Sequence, residues 1–332
     1  MMLRWILWMV PWHYAESLGD VHVGAALNVF TSFGDLGAEV KISGQENPWY
    51  SDLRSADVFE QVLETRSPIV SPDSRFNGDF LLQLCDDVTQ LKAALFLSHK
   101  LEGAERPWRA FAGGWSRSLT AAHLGINSSY LLGSHGYVLV KLTRHHEQVM
   151  LSSDDDPHFN QWTEEGASKV VPELPETVFN FIHKFGSHYV NSYVSGDSLY
   201  QVFVFAPTVY EYLHKAMRDY EETGQSLDQV LEFFTPWHTE HIGRIVSLSG
   251  NYSVERWAEQ NLRNKALVFD YSSLLELHYA PERLQVLDLM MGNDALLEME
   301  LKSLTPFISD KRKQLWFSEI LNNHMKLWEI SV

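Results

Sequence analysis

A single cysteine among 332 residues leaves this chain without any intrachain disulfide. That residue, Cys85, sits in DFLLQLCDDV, a strand-like run, and reads as a buried, inert thiol; an intermolecular crosslink is the alternative. Basic residues are also scarce. Lys and Arg number 26 against 43 Asp and Glu, a net charge of −17 with no basic run to offset it. This balance argues against a nucleic-acid partner and against adsorption to anionic membranes by charge alone. No segment approaches the ~20 consecutive apolar residues that span a bilayer as a helix. Internal repeats, Pro-rich linkers and low-complexity tracts are missing too, so nothing of that kind divides the chain. The GxSxG elbow, HExxH, the P-loop and the dinucleotide GxGxxG do not occur, and no cofactor is expected.

What is present is core-forming material. Hydrophobic residues make up 45% and aromatics 13%, which argues against disorder and for one large domain or two smaller ones. Residues 1–17, MMLRWILWMVPWHYAES, have the outline of a secretory signal: Arg4, an apolar stretch from Trp5 to Trp12, then Ala15. A buried N-terminal strand is the other reading. Asn127-Ser128-Ser129 and Asn251-Tyr252-Ser253 are glycosylation sequons, consistent with export.

The histidine and acidic groupings lack metal-ligand spacing. His238 and His241 are three apart without a third ligand, and Asp154–Asp156 lacks the alternating oxygens of a calcium loop. His145 and His146 lie in a strand-like run, where neighbours point to opposite faces. A packed pair, a solvated turn and a plain strand are the expected readings, with no metal site.

Along the chain, VGAALNVFTSF and AEVKI look extended and SADVFEQVLE looks like a short helix. FNGDFLLQLCDDV, YVLVKLTRHHEQVMLSS and the stretch from Tyr189 to Phe205 read as strands, the last broken at Gly196-Asp197. Val209, Leu213, Ala216, Met217 and Tyr220 recur at helical spacing. Gly224 ends that helix and Ser226-Leu-Asp-Gln229 opens the next. HIGRIVSLSGNYSVERW reads as extended and the last ~75 residues as mainly helix. Long strands separated by helix clusters predict an α+β fold with a largely antiparallel sheet.

The most informative stretch is HKFGSHYVNSYVSGDS. Val178, Phe181, Ile182 and Phe185 form an amphipathic helix that ends at Gly186, where a glycine supplies positive φ. His188 and Tyr189 pass straight into a strand. With no adjacent nucleophile or acid, His188 reads as a fastener for the helix end rather than a catalytic base, and no catalytic residue is expected.

Phe185-Gly186-Ser187-His188-Tyr189 resembles the signature of the membrane attack complex/perforin (MACPF) family: an aromatic, Gly, Thr or Ser, His, then Phe or Tyr. MLSSDDDPHFNQW upstream, and SLSGNYSVERW and ALVFDYSSLLELH downstream, are similar to segments of that family, so the resemblance covers residues 75–280. It implies a bent four-stranded antiparallel sheet with strands near 77–88, 136–152, 187–205 and 242–256. Two helix clusters would flank it near 89–130 and 206–241. Residues 18–280 would then form the domain and 281–332 a helical C-terminal extension packed on it. In pore-forming members those clusters unfurl into membrane hairpins. Read by twos, 209–221 gives Val, Glu, Leu, Lys, Met, Asp, Glu, and the alternate face is no more apolar. One lipid-facing Lys or Arg costs about 2–4 kcal/mol, so this cluster is expected to stay helical. The family often has Gly-Gly at the bend, where this chain has Gly196-Asp197; a weaker hinge is expected.

The segments FNGDFLLQLCDDVTQL and RPWRAFAGGWSRSLTAAHLGI are similar to an insect branch of the family. That likeness implies a secreted, non-enzymatic glycoprotein of the extracellular matrix, acting in terminal patterning. Its partners would be eggshell matrix, or the receptor or ligand of a tyrosine kinase pathway. Aromatics around Trp108, Trp115 and Trp237 are candidate contact material, although a structural, packed tryptophan is the expected reading at each position. Membrane contact, as a pore former, is the less favoured reading.

Overall fold

The computed structural model describes residues 20–39, 41–42, 55–70, 76–152, 157–223, 227–263 and 271–332. The expected signal at 1–17, the Asp154–Asp156 turn, Gly224 and Ser226 lie outside these residues.

Among the described residues, ten strands share one sheet. They are β1 (Ala25–Leu27), β2 (Ser55–Asp57), β3 (Glu64–Pro68), β4 (Gly78–Cys85), β5 (His99–Leu101), β6 (Gly136–Leu151), β7 (His188–Phe205), β8 (His241–Ile242), β9 (Val246–Ser247) and β10 (Ala295–Ser303). Two long strands organise it. β6, of 16 residues, and β7, of 18, run antiparallel from Gly136↔Phe205 to Met150↔Ser192. Val, Leu, Tyr and Phe dominate both, the residues that pack a sheet covered on each face.

At its upper end, toward Gly136 and Phe205, the order is β4-β6-β7 with β8 and β9 outside. At its lower end β3 replaces β4 beside β6, and β10 takes the place of β8 and β9 beside β7. β1 pairs with the first residues of β7, and β5 lies parallel to β10. A register shift falls between His145 and Glu147 on β6.

The helices cover both faces. α1 (Val88–Leu95), α2 (Trp108–Ala112) and α3 (Arg117–Leu124) form the first cluster. α4 (Gln161–Ser168) and α5 (Pro175–Phe185) precede β7, and α6 (Pro207–Thr223) and α7 (Leu227–Leu231) form the second cluster. α8 (Tyr252–Asn261), α9 (Pro281–Met290) and α10 (Lys311–Ser331) follow further along the chain. One core packs Tyr137, Leu139, Tyr200, Val202 and Val204 against α1, α2, α5 and α10. A second packs Val138, Val140, Leu199, Phe203 and Phe205 against α6, α7, α8 and α9. The alternation along β6 and β7 assigns neighbouring residues to opposite cores.

Four expectations are corrected. The fourth strand is two dipeptides, and Tyr252 begins a helix because Asn251 caps it, its Oδ1 accepting from Ser253 N (3.1 Å) and Val254 N (3.3 Å). SADVFEQVLE is not helical: Ser55–Asp57 pairs with β1, and Val58 and Phe59 are buried. The stretch from 281 is not wholly a helical layer on the domain, since β10 is inserted beside β7. Finally, β7 runs unbroken through Gly196-Asp197.

Candidate functional site

The signature residues meet where α5 becomes β7. Pro175 starts the helix at a position where a missing N–H costs nothing. Val178, Phe181, Ile182 and Phe185 are buried on one face. Phe185 packs edge-on to Trp162 at 5.0 Å, and α4 approaches its ring closely at Gly166, where a Cβ would lie 2.2 Å from a ring carbon. Lys184 Nζ stands 4.3 Å from the Trp162 ring centre.

Gly186 closes the helix through its N–H to Ile182 O (2.9 Å) with φ +95°. A Cβ there would meet the Leu27 backbone at 2.9–3.0 Å, so both conformation and close approach to β1 require glycine. Ser187 is fully buried. Its N–H donates to Leu27 O (2.9 Å), its carbonyl accepts from Leu304 N (3.1 Å), and its Oγ accepts from Val29 N (3.3 Å).

His188 is fully buried between β1 and β10, facing Leu27 on one side and Ser303 on the other. Its Nε2 lies 3.0 Å from Glu102 O, and its Nδ1 lies 3.0 Å from Ser187 Oγ. A carbonyl only accepts, so Nε2 carries the proton and Nδ1 accepts from the Ser187 hydroxyl. Burial drives the imidazole down to about 4, against a smaller upward effect of the Glu102 carbonyl. The ring is therefore neutral at physiological pH, and neither nitrogen is free to act on a substrate. Tyr189 is buried edge-on to Phe59 (5.3 Å) and Phe307 (5.4 Å), and burial raises its phenol to about 12. Five adjacent residues thus join α5 to β1, the 102 loop and the end of β10.

Gly196 is also a point of close approach across the ladder. It faces His145 and Ala295, and a Cβ would lie 2.1 Å from Arg144 O and 2.5 Å from Leu297. The irregularity sits across the ladder at His146, whose side chain bonds Asp294 (2.6 Å). The Asp197 carboxyl is buried beside the Ser198 N–H and the Ser247 and Ser249 hydroxyls; desolvation outweighs them and raises its pKa.

The two helix clusters are held differently. In the second, α6 buries Leu213 and packs Val209, Ala216, Met217 and Tyr220 against the sheet, leaving Glu211, Lys215 and Arg218 exposed. In the first, β5 is laddered to β10, and Glu329 of α10 accepts from Arg106 N (2.8 Å) and Glu105 N (3.3 Å). Arg109 donates to the Glu329 carbonyl. These tethers reach across the chain and had no sequence signal.

The remaining candidates disperse. His238 bonds Glu232 O (3.0 Å), whereas His241 stacks on Tyr130 at 4.7 Å. No group of three or more potential metal ligands occurs among the described residues. Cys85 is buried and its thiol is pushed up to about 12. Asn127 is exposed, and Asn251 partly so; each spends Oδ1 on a nearby backbone N–H. Of the three tryptophans, Trp237 is exposed and Trp108 half-buried. Trp115 takes the structural reading: it is buried, with Nε1 donating to Asp35 (2.8 Å). Among the described residues, no helix is long and apolar enough to cross a membrane.

No model of a known protein family matches the chain, and no curated protein matches it. Among solved structures it is similar to GNIP1Aa from Chromobacterium piscinae, at 10% identity and TM-score 0.45, over 94% of this chain and 55% of that one. A protein with a MAC/perforin domain from Bacteroides thetaiotaomicron is similar at 9% identity and TM-score 0.42, over 95% and 63%. Astrotactin-2, a vertebrate-specific, perforin-like membrane protein involved in neuronal development, is similar at 14% identity and TM-score 0.34, over 85% and 41%. The chain spans less than two thirds of the length of each. The α+β assignment rests on the strand order and register of the chain itself.

Proposed function

We propose that this chain is a secreted, non-enzymatic protein of the membrane attack complex/perforin type that acts through protein contact in extracellular developmental signalling. Its segments resemble torso-like, an insect protein of the eggshell and of embryonic terminal patterning. That resemblance implies a role in promoting activation of a receptor tyrosine kinase, or in making its ligand available. The observation that carries the non-lytic part is α6. Its apolar residues form one helical stripe against the sheet, and as a strand it would turn charges toward lipid on either face.

The test is dye release from liposomes by purified full-length protein. The expected result is none; release at nanomolar protein with SDS-resistant rings would replace this reading with a pore former. Export is tested by sequencing the mature N-terminus of tagged protein, with glycopeptides expected at Asn127 and Asn251. An uncleaved cytosolic chain would contradict the extracellular assignment.

A further inference from the structure

Two strands lie along the same flank of β6 and present it to solvent in opposite ways. β3 pairs with Glu147–Leu151, is exposed along its whole length and carries Glu64, Arg66 and Pro68. Arg66 bridges Glu64 (2.8 Å) and Glu147 (3.0 Å). Charge and proline are the means by which natural sheets blunt an edge. β4 pairs with Tyr137–Arg144 and with no other strand among the described residues. It has no proline, its one charge is Asp79, and Phe80 and Leu81 are 45% and 40% exposed.

The register says which backbone groups are free to pair. His145 N donates to Asn77 O (3.1 Å), and the β4–β6 register places 77 opposite 145. In an antiparallel ladder hydrogen-bonded pairs alternate, so residues 79, 81, 83 and 85 exchange bonds with β6. The N–H and C=O groups of Phe80, Leu82 and Leu84 point the other way, to the flank that no other strand of the described residues covers.

The opposite edge of the upper sheet is closed. Among the described residues, only the dipeptides β8 and β9 lie outside β7 there. The loop between them gives Arg244 N to Gly125 O (2.9 Å), and Ser247 N is taken by Glu255 Oε1 (2.8 Å). A second copy therefore offers no matching upper edge except its own β4. Two-fold pairing of β4 would bring Asp79 of one copy alongside Asp86 and Asp87 of the other, in a chain of net charge −17.

We infer that β4 receives an extended segment of a partner protein, which adds a strand to the sheet. The outward peptide groups of Phe80, Leu82 and Leu84 form the ladder, and Phe80 and Leu81 supply apolar contact on the two faces. Asp79 at one end and Asp86 and Asp87 at the other select basic residues flanking the segment. This assignment rests on the protein-contact reading above and names the surface that performs it.

The probe is a labelled synthetic peptide of alternating valine and threonine between lysine pairs, titrated into the full chain. Saturable binding is expected, with amide exchange slowed at Phe80, Leu82 and Leu84. Phe80→Pro removes one outward donor and leaves the β6 ladder intact, and should weaken binding about tenfold. N-methylating alternate peptide residues does the same without touching the protein, should the proline variant fold poorly. Asp79→Lys should also weaken binding. Absence of saturable binding overturns the assignment, as does binding indifferent to both Phe80→Pro and peptide N-methylation. A concentration-dependent dimer protecting the same three amides overturns it as well, giving the edge to a second copy. Dye release from liposomes would sink the signalling reading while peptide binding stood, so the two failures are distinguishable.

Discussion

The first helix cluster is stitched to the sheet and the second is pressed against it. Around α1 and α2 the attachments are directional: the β5–β10 ladder, the His188–Glu102 bond, the Glu329 carboxylate on two backbone N–H groups. Around α6 and α7 the described residues pack through broad apolar contact, with polar links such as Tyr210 to Asp86 (3.2 Å) and Tyr279 to Asp228 (3.0 Å) beside it. Stitching resists sliding and peeling, because each buried polar group that loses its partner is penalised. Pressing resists only exposure to water. Unfurling the first cluster would break bonds to three distant segments, whereas the second is kept helical by the match between its stripe and the sheet.

Mutation sharpens that contrast. Phe234→Ala in the second cluster empties a site where the ring stands edge-on to Phe203 (5.0 Å) and Phe205 (5.7 Å). It should cost about 3–5 kcal/mol by urea unfolding. His188→Gln, at the stitched joint, should cost about 2–3 kcal/mol at pH 7, since it vacates a buried site and orphans the Glu102 carbonyl.

The joint also makes stability depend on acid. The folded imidazole of His188 is held down at about 4, against an unfolded value near 6.5. The unfolded chain therefore binds the proton first as pH falls, so stability is full above 6.5 and drains away toward 4. At pH 5 the loss from this group is about 2 kcal/mol. His99, pushed down to about 3 by burial, acts in the same direction. Urea midpoints at pH 7 and pH 5 should differ less in His188→Gln than in the parent; an equal difference would remove His188 as the cause. Glu329→Ala should cost about 2 kcal/mol and speed amide exchange at Glu105 and Arg106. Lys215→Ala, on the exposed side of α6, should change stability by less than about 0.5 kcal/mol.

The features legible in the sequence are those fixed by local pattern. The 3.6-residue stripes of α5 and α6, the Val- and Phe-rich runs of β6 and β7, and the glycine ending α5 each announce themselves within a few residues. The misses have other causes. Ala295, Leu297, Met299, Leu301 and Ser303 alternate strictly inward, a period of two that was in the sequence but was submerged in helical neighbours. Ser55–Asp57 became a strand through pairing with β1, a tertiary effect that overrides helical spacing. The close approach of Gly196 to the Arg144 carbonyl is a contact across the ladder that the local sequence does not announce. The role of Glu329, like the partner of His188, depends on residues more than eighty positions away.

The most direct measurement is amide exchange across Pro207–Thr223 with the full chain mixed with liposomes. Helical protection at Leu213, Ala216 and Met217, unchanged by the vesicles, is the expected outcome. Loss of that protection on vesicle addition, with new protected amides at alternate residues and dye release, would contradict it.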